Sequence, residues 1–254
     1  MSAEFSSSDV RYLRQTPLFG KEGQKKLKNA RILLAGAGGL GSAIAMYLAS
    51  AGVGYIRIAD EDVVERSNLN RQILYHETDI GICKVEAAEK TIHALNSGIE
   101  VEAVCRHIDE KSVGSLVRGM DLIIDGMDNF AARYVLNRAC LDEKIPFIHG
   151  AVNGFYGQVT TLIPGITPCL RCLVPTDPAW EKKVIIGVTC GVIGSIEANE
   201  ALKYLTGTGK LLQNRLLLWD GLLGESESIE IVSSPDCTDC GFSEAEPDVR
   251  RSSV

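Results

Sequence analysis

The run GAGGLG, Gly36 to Gly41, constrains this chain more than any other stretch, because it sits between the apolar segment ARILLA and the small-residue helical segment SAIAMYLASA. A G-x-G-x-x-G turn between strand and helix lets backbone N–H groups approach a phosphate at a helix start. Asp60 lies nineteen residues past Gly41 and ends the next apolar run, YIRIAD. An acidic side chain there is suited to ribose hydroxyls. Gly38, Gly39, Gly41 and Asp60 are therefore candidate nucleotide-binding residues. The alternative is a tight strand-to-helix turn with no ligand.

The surrounding pattern predicts an α/β fold. Apolar runs bounded by Gly, Asp or Pro suggest strands near 31–36, 55–60, 99–105, 121–125 and 146–151, separated by helical patterns. Such alternation implies a Rossmann-like, mostly parallel sheet with helices on both faces. In KVEAAEKTIHALN, residues 84–96, Val85, Ala88, Ile92 and Leu95 recur at helical spacing and should face the sheet. After Pro146 the texture changes: GQVTTLIPG, RLLLWDGLL and SIEIVSS read as antiparallel additions around a helix GSIEANEALKYLTG. A single domain spanning 1–254 is expected, with a nucleotide-binding half at about 11–150, a partner-facing half at about 151–241 and a flexible tail at 242–254. The polar first twenty residues are expected to fray as well.

Charged residues around the loop point to triphosphate chemistry. Asn68, Arg71 and Gln72 follow Asp60, and Lys84 opens the next helix. Cations beside a glycine loop suit a reaction that expels pyrophosphate, whereas hydride transfer needs an apolar nicotinamide pocket. Taken singly, Arg71 or Lys84 can equally be an exposed helix charge or half of a local ion pair. In DLIIDGMDNF, Asp125 ends a strand and Asp128 stands in the loop at its carboxyl end, where open sheets bind ligands. Asp128 suits Mg²⁺ beside a triphosphate, or an N-cap for the helix that follows, or both.

Eight cysteines suggest a metal site, reactive thiols or small core residues. Cys169 and Cys172 in PCLRC and Cys237 and Cys240 in DCTDC form two C-x-x-C knuckles. Four thiolates suit a tetrahedral, structural Zn²⁺; a redox pair or buried thiols are the alternatives. Cys83, Cys105 and Cys140 read as small hydrophobes, and Cys190 as a packed residue at an apolar helix start.

The net charge of −7, without any run of Lys or Arg, speaks against nucleic acid or anionic membrane as a partner. MSAEFSSSDV lacks the order of a signal peptide, so a cytoplasmic location is expected.

Taken together, RYLRQ, GAGGLGS, IADEDVVERSNLNRQ, GICKVEAA, DGMDNFAARYVLN, GAVNGFYGQVT, PCLRC, GVIGS and DCTDCG closely resemble the MoeB/ThiF/HesA family, in order from about Arg11 to Gly241. These are ubiquitin-activating-enzyme-like adenylyltransferases of sulfur-carrier proteins. The resemblance implies that the C-terminal Gly-Gly carboxylate of a ubiquitin-fold carrier of the ThiS or MoaD type attacks ATP, giving carrier acyl-adenylate and pyrophosphate. It implies phosphate contacts from Asn68, Arg71, Gln72 and Lys84, ribose contact from Asp60, Mg²⁺ on Asp128 and structural Zn²⁺ on the four knuckle cysteines. It also implies a homodimer in which Arg14 reaches the partner's ATP. Many relatives carry a reactive cysteine in a loop before GVIGS; the matching position here falls near Trp180 and holds none. The expectation is an enzyme that stops at the acyl-adenylate, with a separate sulfurtransferase supplying sulfur. Adenylation of a peptide is the alternative within the family. An NAD(P)-dependent oxidoreductase rests only on the glycine loop and Asp60, and a non-catalytic dimeric scaffold leaves the phosphate-directed residues without a role.

Overall fold

A computed structural model of the chain describes residues 10–176 and 184–241. Eight strands form one sheet: β1 (Arg31–Ala35), β2 (Tyr55–Ala59), β3 (Glu100–Val104), β4 (Leu122–Asp125), β5 (Phe147–Asn153), β6 (Tyr156–Leu162), β7 (Arg215–Asp220) and β8 (Glu225–Glu230). Their spatial order is β3-β2-β1-β4-β5-β6-β7-β8. The first five pair in parallel and the last three join antiparallel. The helices are α1 (Thr16–Asn29), α2 (Gly39–Ala51), α3 (Lys84–Leu95), α4 (Val113–Val117), α5 (Phe130–Glu143), α6 (Leu170–Leu173) and α7 (Gly187–Thr206).

The central strands are apolar on both faces because helices cover both. Along β1, Ile32 and Leu34 pack with Ile44 and Leu48 of α2, Val85 and Ile92 of α3 and Ile193 of α7. Leu33 and Ala35 point the other way, into a cluster with Leu116 of α4, Leu136 and Cys140 of α5 and Leu170 of α6. Each fully buried Leu or Ile contributes about 1.5–3 kcal/mol, so a polar residue at any of these positions would be costly. Within α3, Val85, Ala88 and Ile92 are buried and Leu95 packs at the edge, the face expected from spacing.

The order β2-β1-β4 places the reversal of strand order between β1 and β4, and the loops leaving those two strands form the crevice. They approach so closely that each needs glycine. Gly36 has φ +93°, and a methyl on it would lie 2.5 Å from the Gly126 carbonyl oxygen; a methyl on Gly126 would lie 2.6 Å from that of Gly36. A methyl on Gly41 would collide with the Gly36 carbonyl, which is what ties the last glycine of the motif to the first.

Three expectations are corrected. Helix α7 begins at Gly187, seven residues before GSIEANEALKYLTG, and keeps Cys190 buried near its start, as read. Strand β8 starts at Glu225 rather than Ser228, because the turn Gly221–Gly224 returns the chain directly alongside β7. Residues 10–20 are anchored rather than frayed: Tyr12 packs on Gly52 and its hydroxyl accepts from Asn96 Nδ2 at 3.0 Å, while Gln15 Nε2 donates to the Ala51 carbonyl at 2.7 Å. The expected tail at 242–254 and the segment around Trp180 lie outside the described residues. Among the described residues no helix is long and apolar enough to cross a membrane.

Candidate active site

The crevice opens into a cavity of about 1010 Å³, lined at its inner end by Gly39, Arg71, Asp128 and Cys190. Arg71 follows the 3₁₀ turn Arg66–Asn68, which is held by the Asn68 Oδ1 acceptor for the Glu65 N–H at 3.0 Å. Its guanidinium donates to the Ser67 carbonyl and Asn70 Oδ1, both at 3.0 Å. Both acceptors are neutral, and no carboxylate among the described residues pairs with it. Among the described residues its charge is therefore uncompensated where it faces the cavity. Gln72 is buried with Oε1 lacking any hydrogen-bond partner among the described residues, and its Nε2 would stand 3.9 Å from a methyl on Gly38. A buried orphan acceptor beside a glycine loop is a costly arrangement unless a ligand or water completes it.

Asp60 and Lys84 sit at the other end of the loop and do not line this cavity. The Ala37 N–H donates to Asp60 Oδ2 at 2.8 Å and the Asp62 N–H to Oδ1 at 2.9 Å. Burial pushes the Asp60 carboxyl up, against the pull of Lys84 and these two N–H groups. Lys84 is buried, donates to Asp62 Oδ2 at 2.7 Å and lies 4.0 Å from Asp60 Oδ1. The alternative of a local ion pair thus describes Lys84 as it stands, and it does not describe Arg71.

Asp128 is exposed on the loop after β4, and among the described residues its Oδ1 accepts only from Asn129 Nδ2 at 3.3 Å. It is not the N-cap of α5: Asn129 is, accepting the Ala132 N–H at 2.9 Å. Asp128 is left with an open carboxylate toward the cavity, as a metal ligand requires. Arg14 is exposed and bonds to none of these residues, so the described chain alone does not bring it to the site.

Beneath the crevice lies a buried network that the sequence reading missed. Asp125 accepts from Arg133 Nε at 2.8 Å, from the Met127 N–H at 2.9 Å and shares a 2.6 Å contact with His149 Nδ1. Arg133 also donates to the carbonyls of Met127 and Gly150, at 2.6 and 2.9 Å. Burial would raise the Asp125 carboxyl, but Arg133 and His149 outweigh it and hold it below the usual range. Burial lowers the His149 imidazole, against the upward pull of the Asp125 carboxylate. Glu197 of α7 lies against Gly150 with neither carboxylate oxygen bonded, and burial, reinforced by Asp125, raises its pKa well above the ordinary value. A folded-state pKa above the unfolded one means stability is lost as pH rises past the unfolded value near 4.5. Glu197→Gln should therefore gain on the parent in urea unfolding between pH 5 and pH 8, by up to about 1.4 kcal/mol per pH unit. An identical pH dependence in both proteins would contradict a buried, protonated Glu197.

The knuckle cysteines come together as expected. All four Sγ atoms lie within 4.8 Å of one another, with Cys169–Cys237 at 3.6 Å, Cys172–Cys240 at 3.4 Å and Cys169–Cys172 at 4.0 Å. Tetrahedral Zn–S bonds of about 2.3 Å require sulfur separations of about 3.8 Å, which these straddle. Asn137 of α5 ties both knuckles down, accepting the Leu170 N–H at 2.9 Å and donating to Asp239 at 2.8 Å.

Cys190 and Cys140 are buried, and burial raises both thiols. Cys190 Sγ packs over Gly39, where a methyl would come within 2.7 Å of it. Cys83 is half-buried and packs against the core as read, but Cys105 is exposed and the two are joined as a disulfide. Their partnership, 22 residues apart, leaves no periodic signal in the sequence.

The ThiF family profile matches residues 12–241. The chain is similar to the SAMP-activating enzyme E1 of Haloferax volcanii, 42% identical over 228 residues that cover 87% of this chain and 84% of that protein. It is also similar to the sulfur carrier protein adenylyltransferase of Thermus thermophilus, 39% identical over 244 residues covering 91% and 90%. It spans about half the length of a third relative, the adenylyltransferase and sulfurtransferase MOCS3-1 of Zea mays, at 40% identity over 89% of this chain and 50% of the relative. Among solved structures, E. coli MccB with ATP superposes with a TM-score of 0.82 at 26% identity, covering 91% of this chain and 74% of that one. Matched by that profile from one end of its described sheet to the other, and similar over most of its length to two named activating enzymes, the protein belongs to the ThiF family, as an adenylyltransferase of the MoeB, ThiF and HesA type.

Proposed function

We propose that the chain uses ATP to adenylate the C-terminal Gly-Gly carboxylate of a ubiquitin-fold sulfur-carrier protein of the ThiS or MoaD type, for sulfur transfer in cofactor biosynthesis. The observation that carries this reading is Arg71: a cation without a carboxylate partner among the described residues, facing the same cavity as Gly39 and Asp128. A carboxylate oxygen of the carrier forms a bond to the α-phosphorus, the bond to the β-phosphate bridging oxygen breaks, and pyrophosphate leaves. The carrier's carboxylate is already ionised at neutral pH, so no base is needed. Positioning and charge neutralisation carry the step.

Gly38, Gly39 and Gly41 cradle the phosphates, Asp60 takes the ribose, and Asn68, Gln72, Arg71 and Lys84 serve the triphosphate. Arg14 is supplied by the second copy of a homodimer. Mg²⁺ on Asp128 would neutralise charge on the phosphates as pyrophosphate departs. Outside the nucleotide end, Tyr156, Trp219 and Leu223 give the cavity an apolar wall, which suits a carrier's tail in the half at about 151–241. Burial and the raised pKa of Cys190 support an enzyme that stops at the acyl-adenylate and leaves sulfur delivery to a separate sulfurtransferase. The four-cysteine cluster would hold a structural Zn²⁺: one zinc per chain is expected by elemental analysis, with a lower melting temperature after chelation. Metal-free protein with four titratable thiols and unchanged melting would contradict it.

Carrier-dependent ATP–pyrophosphate exchange, measured against a panel of Gly-Gly carriers, tests the function. Exchange with at least one carrier is expected, and none with any carrier rejects it. The likeness to MccB, solved in complex with MccA, favours a second reading in which a peptide is adenylated. Exchange with peptides but no carrier would select it.

A further inference from the structure

The disulfide lies where it touches the nucleotide end of the site. Cys83 is the N-cap residue of α3 and immediately precedes Lys84; Cys105 follows the last residue of β3. Between them runs the loop that leaves Asp60. That loop is stitched to the Cys83 side by Val64 N–H to the Ile82 carbonyl at 2.9 Å and Lys84 N–H to the Asp62 carbonyl at 2.9 Å. On the Cys105 side it is held by Asp60 N–H to the Val104 carbonyl at 3.3 Å and by Glu61 Oε1 against His107 Nδ1 at 2.6 Å. The sulfur bridge closes this belt around Asp60 and Lys84.

We propose that Cys83 and Cys105 form a reversible thiol–disulfide site, reduced by dithiols, whose state sets how tightly the chain holds ATP. The consequence for ATP rests on the function proposed above; the thiol chemistry does not. Cys105 is the exposed sulfur and Cys83 the half-buried one. A dithiol's thiolate attacks Cys105 Sγ, the S–S bond breaks, and Cys83 leaves as a thiolate, stabilised at the amino end of a twelve-residue helix. The reductant's second thiol then attacks the mixed disulfide, releasing Cys105 and closing the reductant's own disulfide, while both cysteines take up protons. Two electrons pass from the dithiol to the pair, and a disulfide oxidant such as oxidised glutathione reverses the step.

The bridged form keeps Asp60 and Lys84 in place for ribose and phosphate. Opening it frees the start of α3 relative to the end of β3, so ATP must restore that order when it binds. Freedom on the scale of one backbone residue weakens ATP binding roughly fivefold.

The test uses the full chain, treated with oxidised glutathione or with dithiothreitol, with zinc content checked in both so that the four-cysteine cluster does not enter the comparison. Peptide mass spectrometry reads the Cys83–Cys105 cross-link, and calorimetry reads ATP affinity. The expected result is a cross-linked peptide and tighter ATP binding in the oxidised sample, with Cys105→Ser fixed at the reduced value in both buffers. Absence of the cross-link after oxidation overturns the thiol site. Equal ATP affinity in both states overturns the coupling. A cross-linked chain that binds ATP in neither state overturns the coupling together with the ATP reading, and is told apart from the other failures by the intact cross-link.

Discussion

Arg71→Ala should lower carrier-dependent ATP–pyrophosphate exchange by about a hundred- to a thousandfold, the loss typical of removing one preorganised charge from a developing oxyanion. In the described chain its guanidinium meets only the Ser67 carbonyl and the Asn70 side-chain oxygen, so no ion pair is broken by the substitution and folding should be intact. The loss should fall on kcat. Lys84→Ala is expected to differ in kind. Its ammonium already compensates Asp62 and stands near Asp60, so removal leaves two carboxylates facing one another at the ribose end and raises KM for ATP as well. Near-normal exchange in both variants would reject the assignment of these residues to the triphosphate.

Arg133→Ala should be the most destabilising of the substitutions considered, costing about 3–5 kcal/mol in urea unfolding, because it strands the buried Asp125 carboxylate. It also removes the donors that join the Met127 and Gly150 carbonyls, so the loop carrying Asp128 loses its footing and exchange falls with stability. The pH dependence carries a sign. With a folded-state pKa below the ordinary carboxylate value, Asp125 contributes stability above that ordinary value and loses it as pH falls through the lowered one. Without Arg133 the carboxyl rises, so the variant should be most impaired near neutrality and approach the parent in acid. Arg133→Lys restores charge without the fork that serves three acceptors, and should recover part of the loss. A cost below about 1 kcal/mol for Arg133→Ala would mean that Asp125 is not ionised in the folded chain.

The parallel half of the sheet was legible because its strands are unbroken apolar runs between turn residues; all five lie within two residues of their expected bounds. Other elements were not. Strand β8, ESESIE, is exposed along its whole length, so burial imposes no alternation that could mark it, and its pairing with β7 is decided by the preceding turn. The start of α7, GVTCGVI, was legible only as an apolar helix start around Cys190 and without its bound at Gly187, because it is rich in Gly and β-branched residues and has no side-chain cap, and packing on α2 decides where it begins. At the crevice, the glycine loop, Asp60 and Asp128 could be singled out because each stands at a strand end or in the loop directly after it, whereas Arg71 lies in the long crossover after β2 and was singled out by its charge. Arg133, His149 and Glu197 could not: each is a polar residue within a regular element, and its role exists only through Asp125 or Gly150, which lie 8 to 47 residues away in the chain. The bridge between Cys83 and Cys105 could not be read either, because it joins two loop positions 22 residues apart.

The mutual contact of Gly36 and Gly126 bears on how such a crevice can be altered. Each backbone occupies the space that a side chain on the other would need, although ninety residues separate them. Neither segment can then be exchanged alone for one of different shape: any redesign toward another nucleotide has to change both together, as the two halves of a hinge pin must be recut as a pair.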